Sequence, residues 1–412
     1  MTTTPPSRPE GALRAGDARL VGDPGKSVWD DLVGQHRVSE ALRSAAGGHG
    51  MSHAWLFTGP PGSGRSNAAV AFAAALQCER GLGPDAGCGE CHECHTVLTG
   101  SNADVTMVRT EKLSIGVDEV RDLVRRSALA PVGRRSQVII VEDADRLTEQ
   151  ACNALLKAIE EPTRRTVWML CAPTVEDVLP TIRSRCRLVT LTTPTTEDVA
   201  AFLVRKDGVA ESLASYAARA SQGHIGRARA LARDESTRNR RREVVSYPAK
   251  LNSLGACMTA ASNLAEVTKE EADEVTSELD TREKADLDVA YGVVERGRRP
   301  REYAPALSAL EKGQRTRAKR RHLDMVDRGL MDLMSVYRDA IAVATGAVGM
   351  LVNEEIRGDV ELVARTSTPE LNLQRIAAIF AAREQMLEFN VPVPLALESM
   401  MVALKVPDRA RG

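Results

Sequence analysis

Aromatic side chains are scarce in this sequence, at 3% of 412 residues. Single-stranded nucleic acid is gripped by exposed rings that stack on bases, so a stacking platform of that kind is excluded. Charge of one sign is lacking too: 55 Lys and Arg offset 56 Asp and Glu, for a net charge of -1. Without a global basic field, any contact with nucleic acid must use a local patch. There is no run of about 18 apolar residues, and the N-terminus, MTTTPPSRPEGALRAGD, has no apolar signal core. The expectation is a cytoplasmic protein with no membrane contact. No repeat of solenoid period occurs.

What is present suits two or three globular domains, with 43% hydrophobic residues to bury. Residues 1–26 are rich in Pro, Gly, Thr and Arg and are expected to be a disordered extension. From 27 to 193 the short β-type runs AWLFT, DVTMV, SQVIIVE, TVWMLCA and RLVTL alternate with helical stretches, the mark of an α/β fold with a parallel sheet. The strands then stop. Residues 194–245 are expected to form a small helical lid and 246–406 an all-helical domain that includes the charge-dense KEEADEVTSELDTREKAD.

Between the first strand and an Ala-rich helix lies GPPGSGRS. Gly59, Pro60, Gly62, Ser63, Gly64, Arg65 and Ser66 match a phosphate-binding loop, in which glycines let backbone N–H groups turn inward and the helix N-terminus attracts anions. Ser66 stands where a hydroxyl coordinates Mg2+, and Arg65 replaces the lysine that reaches ATP's outer phosphates. A planar guanidinium in place of a compact ammonium is not a conservative change. The plain alternative is a Gly-rich strand-to-helix turn that binds nothing. A second nucleotide signal is Glu142-Asp143 at the end of SQVIIV, which resembles an acidic Walker B pair in reversed order. The shorter Asp143 would leave an attacking water without its partner. Alternatively, the pair is an acidic cap where a buried strand meets solvent.

Eight cysteines in a chain this long do not make a disulfide scaffold. Four of them, Cys78, Cys88, Cys91 and Cys94, crowd into QCERGLGPDAGCGECHEC, where thiolates could close a tetrahedral, structural Zn2+ site. Iron–sulfur ligation is the rival, although the usual fourth Cys followed by Pro is missing. A redox role or chance clustering is the remaining reading. His92 and His95 are expected to lie outside the ligand set.

The stretches Asn153 to Lys157 (NALLK), Glu160 to Pro162 (EEP) and Ser184-Arg185-Cys186, with the opening VWDDLVGQHRVSEALRSA, resemble the bacterial DNA polymerase III clamp-loader family of the AAA+ superfamily. The resemblance runs from about Trp29 through the lid and more weakly into the helical tail. It implies an AAA+ P-loop domain, a lid and a helical collar that holds a five-membered ring together. The implied partners are motor gamma/tau and delta subunits, and through the complex the sliding clamp and primer–template DNA. It also implies that Arg185 acts in trans on a neighbour's ATP. The bland alternative has Arg185 capping a strand or pairing with Glu176 or Asp177.

Within the family, Arg65, the reversed Glu142-Asp143 and Gly226, where motor subunits carry a sensor arginine, fit a stator-type subunit whose own ATP site is degenerate. Pro173 stands near the motor subunits' sensor threonine, and Arg227 is close enough in sequence to reach a phosphate. Weak or absent hydrolysis is expected of the isolated chain, and any polymerase activity would belong to the holoenzyme. The alternative is an active AAA+ ATPase, either a motor-type subunit or a relative of branch-migration helicases. The basic segments RNRRRE (238–243) and RTRAKRR (315–321) read as solvated helix faces or as phosphate contacts.

Overall fold

The computed structural model describes residues 27–81, 83, 86–110, 114–133, 135–163, 165–293, 300–347 and 349–405. The expected N-terminal extension lies outside these residues. The chain divides into two compact units: residues 1–108, 121–145 and 152–192, and residues 109–120, 146–151 and 193–412. No described helix is long and apolar enough to cross a membrane.

The first unit is built on five parallel strands: β1 (Ala54–Thr58), β2 (Val105–Val108), β3 (Gln137–Val141), β4 (Thr166–Ala172) and β5 (Arg187–Thr190). Their spatial order is β2-β3-β4-β1-β5. Strands β1, β3 and β4 are buried at every position, as continuous apolar runs must be when both faces of a parallel sheet are covered. The edge strands β2 and β5 are half exposed. Each is only four residues long, which limits the edge offered to further strands. Helix α1 (His36–Ala46) precedes β1, and α2 (Arg65–Gln77) follows it. In α2 every residue from Ala68 to Gln77 is buried, which an Ala-rich helix permits because its side chains let neighbours approach from all sides. Trp55 of β1 meets Phe72 of α2 edge to face, with ring centroids 4.8 Å apart. Helices α3 (His92–Thr99), α4 (Val117–Ser127), α5 (Glu149–Glu160) and α6 (Pro180–Arg183) complete the connections along this stretch of chain.

The second unit is helical from Thr193 onward: α7 (Thr196–Asp207), α8 (Glu211–Ser221), α9 (Ile225–Arg233), α10 (Glu235–Lys250), α11 (Leu254–Ala290), α12 (Tyr303–Thr345), α13 (Arg357–Thr366), α14 (Pro369–Leu387) and α15 (Val393–Ala403). Helix α10 runs continuously through position 245, where the sequence suggested a change from lid to collar. An apolar core gathers Val245, Leu264, Leu330, Leu333, Tyr337, Ile379 and Leu397.

Polar groups are buried beside this core, and one arginine from each basic segment turns inward while others, such as Arg242, Arg315 and Lys319, stay exposed. Arg241, from RNRRRE, is 3% exposed. Its guanidinium bonds Asp332 at 3.1 Å, Glu355 at 2.6 Å and Asn353 at 2.6 Å. Asp339 in turn accepts the backbone N–H groups of Val352 and Asn353 at 3.1 and 2.8 Å, fixing the turn that presents Asn353. Arg317, from RTRAKRR, is likewise buried and paired with Asp280 and Glu283, each at 2.5 Å. These arginines are interior ties. Arg241→Ala removes the buried cation that joins Asp332, Glu355 and Asn353 and leaves buried Asp332 with Arg227 alone, so it should destabilise the helical unit by up to about 3–5 kcal/mol, whereas exposed Arg315→Ala should change stability by less than about 0.5 kcal/mol. Urea unfolding followed by circular dichroism measures both.

Candidate nucleotide loop and metal centre

Strand β1 ends at Thr58, and the chain turns at once into the loop. Gly59 sits at φ +153°, and a Cβ there would lie 2.7 Å from the Leu191 carbonyl oxygen and 2.8 Å from Ser63 Oγ. Only glycine fits that approach. Gly62 and Gly64 also take positive φ, +83° and +93°, and Gly64 caps α2. The loop is therefore a helix-entry turn with its backbone wound as phosphate binding requires. Pro60 accepts the Ser63 N–H at 3.1 Å. Ser63 Oγ is buried without a hydrogen-bond partner, so an oxygen-bearing ligand at the loop would satisfy a hydroxyl that the protein leaves unmet. Arg65 does not extend outward: its Nη1 donates to the Gly59 carbonyl at 2.7 Å, clasping the loop to itself. Ser66 is half-buried one residue into the helix.

The other nucleotide signals converge on the same strand ends. Gly59 N–H donates to the Pro173 carbonyl at 3.1 Å, which places Pro173 directly against the loop. Glu142, buried, and Asp143, half-buried, follow β3, and the Glu142 N–H bonds the Val108 carbonyl at 3.0 Å. Burial pushes the Cys171 thiol at the end of β4 upward, Glu142 and Asp143 add to that rise, and Arg65 opposes it. Arg65 and both acids thus sit within electrostatic reach of one buried atom. Loop, acids and Pro173 line the carboxyl ends of β1, β3 and β4, where open parallel sheets hold ligands. Within the helical unit, the Arg227 guanidinium pairs with Asp332.

Arg185 follows the short helix α6, in SRC. Its Nη2 pairs with Glu160 at 2.7 Å, and its Nη1 donates to the Thr181 carbonyl at 2.9 Å. The partner is neither Glu176 nor Asp177; Asp177 accepts the backbone N–H and hydroxyl of Thr174, both at 2.9 Å. Glu160 is the residue that sequence reasoning missed, although EEP and SRC were both visible as motifs. The two side chains are 40% and 45% exposed, and an ion pair that open to water contributes no more than about 1 kcal/mol. Arg185 is held in place yet easily released.

The four clustered cysteines come together at the far end of α2. The Sγ atoms of Cys78, Cys88, Cys91 and Cys94 all lie within 4.8 Å of one another, and Cys78 and Cys88 are 3.7 Å apart. That spacing matches the edge of a tetrahedron with metal–sulfur bonds of about 2.3 Å. All eight cysteines are free, so no disulfide competes. Backbone N–H groups already point at sulfur: Cys91 to Cys88 and Cys94 to Cys91, both at 3.4 Å, and Glu79 to Cys91 at 3.5 Å. Burial pushes the Cys91 and Cys94 thiols up, whereas at Cys78 backbone hydrogen bonds outweigh burial and bring it to about 7. A bound cation would draw all four to thiolate. His92 and His95 are exposed and outside the cluster. The cluster is anchored to the start of the unit, because Trp29 Nε1 donates to the Ala86 carbonyl at 2.9 Å and Val28 N–H to Gly87 at 2.9 Å. The donor set and its closure could hold one metal ion without an open coordination position.

With this geometry in hand, similarity to known proteins is specific. The family described as "DNA polymerase III, delta subunit" matches residues 34–195. The delta' subunit of Pseudomonas aeruginosa is 40% identical over 151 residues, 36% of this chain and 45% of that protein. The delta' subunit of Haemophilus influenzae is 34% identical over 175 residues, 42% of this chain and 52% of that protein. The tau subunit of Bacillus subtilis is 36% identical over 159 residues, 39% of this chain and 28% of that protein. Residues 34–195 are thus similar to the corresponding part of DNA polymerase III delta' and tau subunits. The chain spans about half or less of the length of these relatives. The matched segment contains the whole loop, the acidic pair, the four cysteines and SRC, whereas Gly226 and Arg227 lie beyond it.

Native mass spectrometry of the purified chain should show about one metal ion per chain, and Cys94→Ser should abolish it and lower the melting temperature, because metal binding is coupled to folding at a closed thiolate site. A fully folded, metal-free wild-type chain would count against the site.

Proposed function

We propose that the chain is the delta-prime, or stator, subunit of a DNA polymerase III clamp loader: it helps open the sliding clamp and load it onto primed DNA, with a degenerate ATP site of its own. The observation that carries this reading is the clasp of Arg65 on the Gly59 carbonyl at 2.7 Å. A lysine at that position would reach out to phosphates, whereas this arginine is spent on the loop's own backbone. The reversed Glu142-Asp143 and the removal of Arg227 to Asp332 support the same conclusion.

Arg185 then acts on a neighbour. Its weak tie to Glu160 is exchanged for a γ-phosphate across a subunit boundary, where a guanidinium stabilises charge developing in the transition state. The metal is Zn2+ in a structural role, four sulfurs and a closed tetrahedron being its preferred surroundings. Motor gamma/tau and delta subunits are the partners, with residues 194–245 as lid and 246–406 as collar. An exposed strip on α14, Leu373, Phe380 and Leu387 at seven-residue spacing with Phe389 beyond it, suits packing of that collar against neighbouring helices.

A second reading, an active motor-type ATPase, is favoured by the intact glycines and the unmet Ser63 hydroxyl. ATP titration and turnover of the isolated chain separate the two: the stator reading expects binding at most and negligible hydrolysis. In the reconstituted complex, Arg185→Ala should leave the fold intact and lower the neighbour's turnover by about 10³-fold or more. Unchanged DNA-stimulated turnover would sink the trans-acting role.

A further inference from the structure

Helices α11 and α12 form an antiparallel hairpin whose charges are segregated. From Leu254 to Ala290 there are ten acids and three bases; from Tyr303 to Arg321 there are six bases and one acid. Part of this charge is used within the hairpin. Arg317 pairs with Asp280 and Glu283, Gln314 donates to the Asp280 carbonyl at 3.0 Å, and Tyr303 donates to Asp288 at 2.5 Å. The apolar core of α12 begins only at Leu323, and before it just Tyr303 and Arg317 are buried. The first part of α12 is thus held by polar ties rather than by core packing.

What remains is an outer edge whose cations make only exposed, surface contacts. Lys312, Arg315 and Lys319 share one side of α12 and are all exposed. Among the described residues the Lys312 side chain has no partner, Arg315 touches Glu311 at 3.5 Å while 79% exposed, and Lys319 reaches Asn390 at 3.1 Å on the surface. Between them Gly313 opens onto empty space, where even an added Cβ would meet nothing within 4 Å. Among the described residues of this stretch no large apolar side chain is exposed. A protein partner would find no aromatic or aliphatic anchor. A polyanion needs none.

We propose that this edge of the hairpin, Lys312, Arg315 and Lys319, is a docking strip for the phosphodiester backbone of duplex DNA. At 1.5 Å per residue the strip covers about 10 Å, a length over which one strand of a duplex presents about three phosphates. Three cations on three phosphates displace condensed counterions and give binding that ignores sequence. Partial neutrality elsewhere on the chain keeps the attraction local. The choice of DNA over RNA rests on the clamp-loader reading; the fit to phosphates does not.

The full-length chain is titrated by fluorescence anisotropy with a 30-base-pair DNA duplex, the matching RNA duplex and phosphatidylglycerol vesicles, across a salt series. The expected result is DNA binding that weakens steeply with salt, and a Lys312→Gln, Arg315→Gln, Lys319→Gln variant that binds more than about tenfold more weakly at 0.1 M salt with a slope shallower by about 3. An unchanged melting temperature shows that the variant is folded. Absent binding at low salt, identical affinity and slope in the variant, or tighter capture of vesicles or RNA than of DNA would each overturn the proposal. None of these readouts involves ATP or other subunits, so a failure here is separate from a failure of the stator reading.

Discussion

The burial of α2 is the constraint on which the site-bearing unit depends. This helix starts at the phosphate-type loop and ends at the first metal-type cysteine, and from Ala68 to Gln77 no residue is exposed. Trp55 against Phe72 ties it to β1, and Cys94 Sγ approaches the Ala74 carbonyl at 3.5 Å. With no freedom to slide or rotate, the helix fixes the wound glycine loop at one end and the cysteine cluster at the other. A larger residue in its alanine run would press on sheet and cysteine loop at once, since close-packed interiors transmit strain. The cysteine cluster and the glycine loop are therefore two ends of one packed element.

Three arginines show how the same side chain can be committed to different degrees. Arg65 closes onto its own loop, Arg185 rests on exposed Glu160, and Arg227 is sequestered on Asp332 within the helical unit. Their availability follows from dielectric surroundings. A pair near water is released at little cost, whereas opening the buried Arg227–Asp332 pair would leave the guanidinium without its carboxylate in a low-dielectric site. Of the three, Arg185 is the one poised to exchange partners.

In the helical unit, polar ties do work usually done by apolar contacts. Arg241 joins α10 to Asp332 of α12 and to the Asn353 turn, and Arg317 joins α12 to α11. Such ties are directional, so they fix helix register where small and polar residues give little shape selectivity. Arg317 also holds the Glu283 carboxyl below the usual range, partly offset by burial. That carboxylate is kept ionised where the hairpin needs it.

The strands, the glycine loop, the four cysteines and the SRC arginine were legible in the sequence because each has a local cause: apolar runs of strand length, glycines at positive φ, thiols at chelating spacing. The five expected strands all appear, and their ends bring Arg65, Glu142, Asp143 and Pro173 together. Partners were not legible. Nothing in RNRRRE says that Arg241 turns inward while Arg242 faces water, and nothing near Arg185 says that its carboxylate comes from Glu160 rather than Asp177. The sequence by itself determined which groups exist and what chemistry they permit. Only the tertiary structure decided which charges are spent internally and which stay available, because that choice depends on burial and on residues distant in the chain.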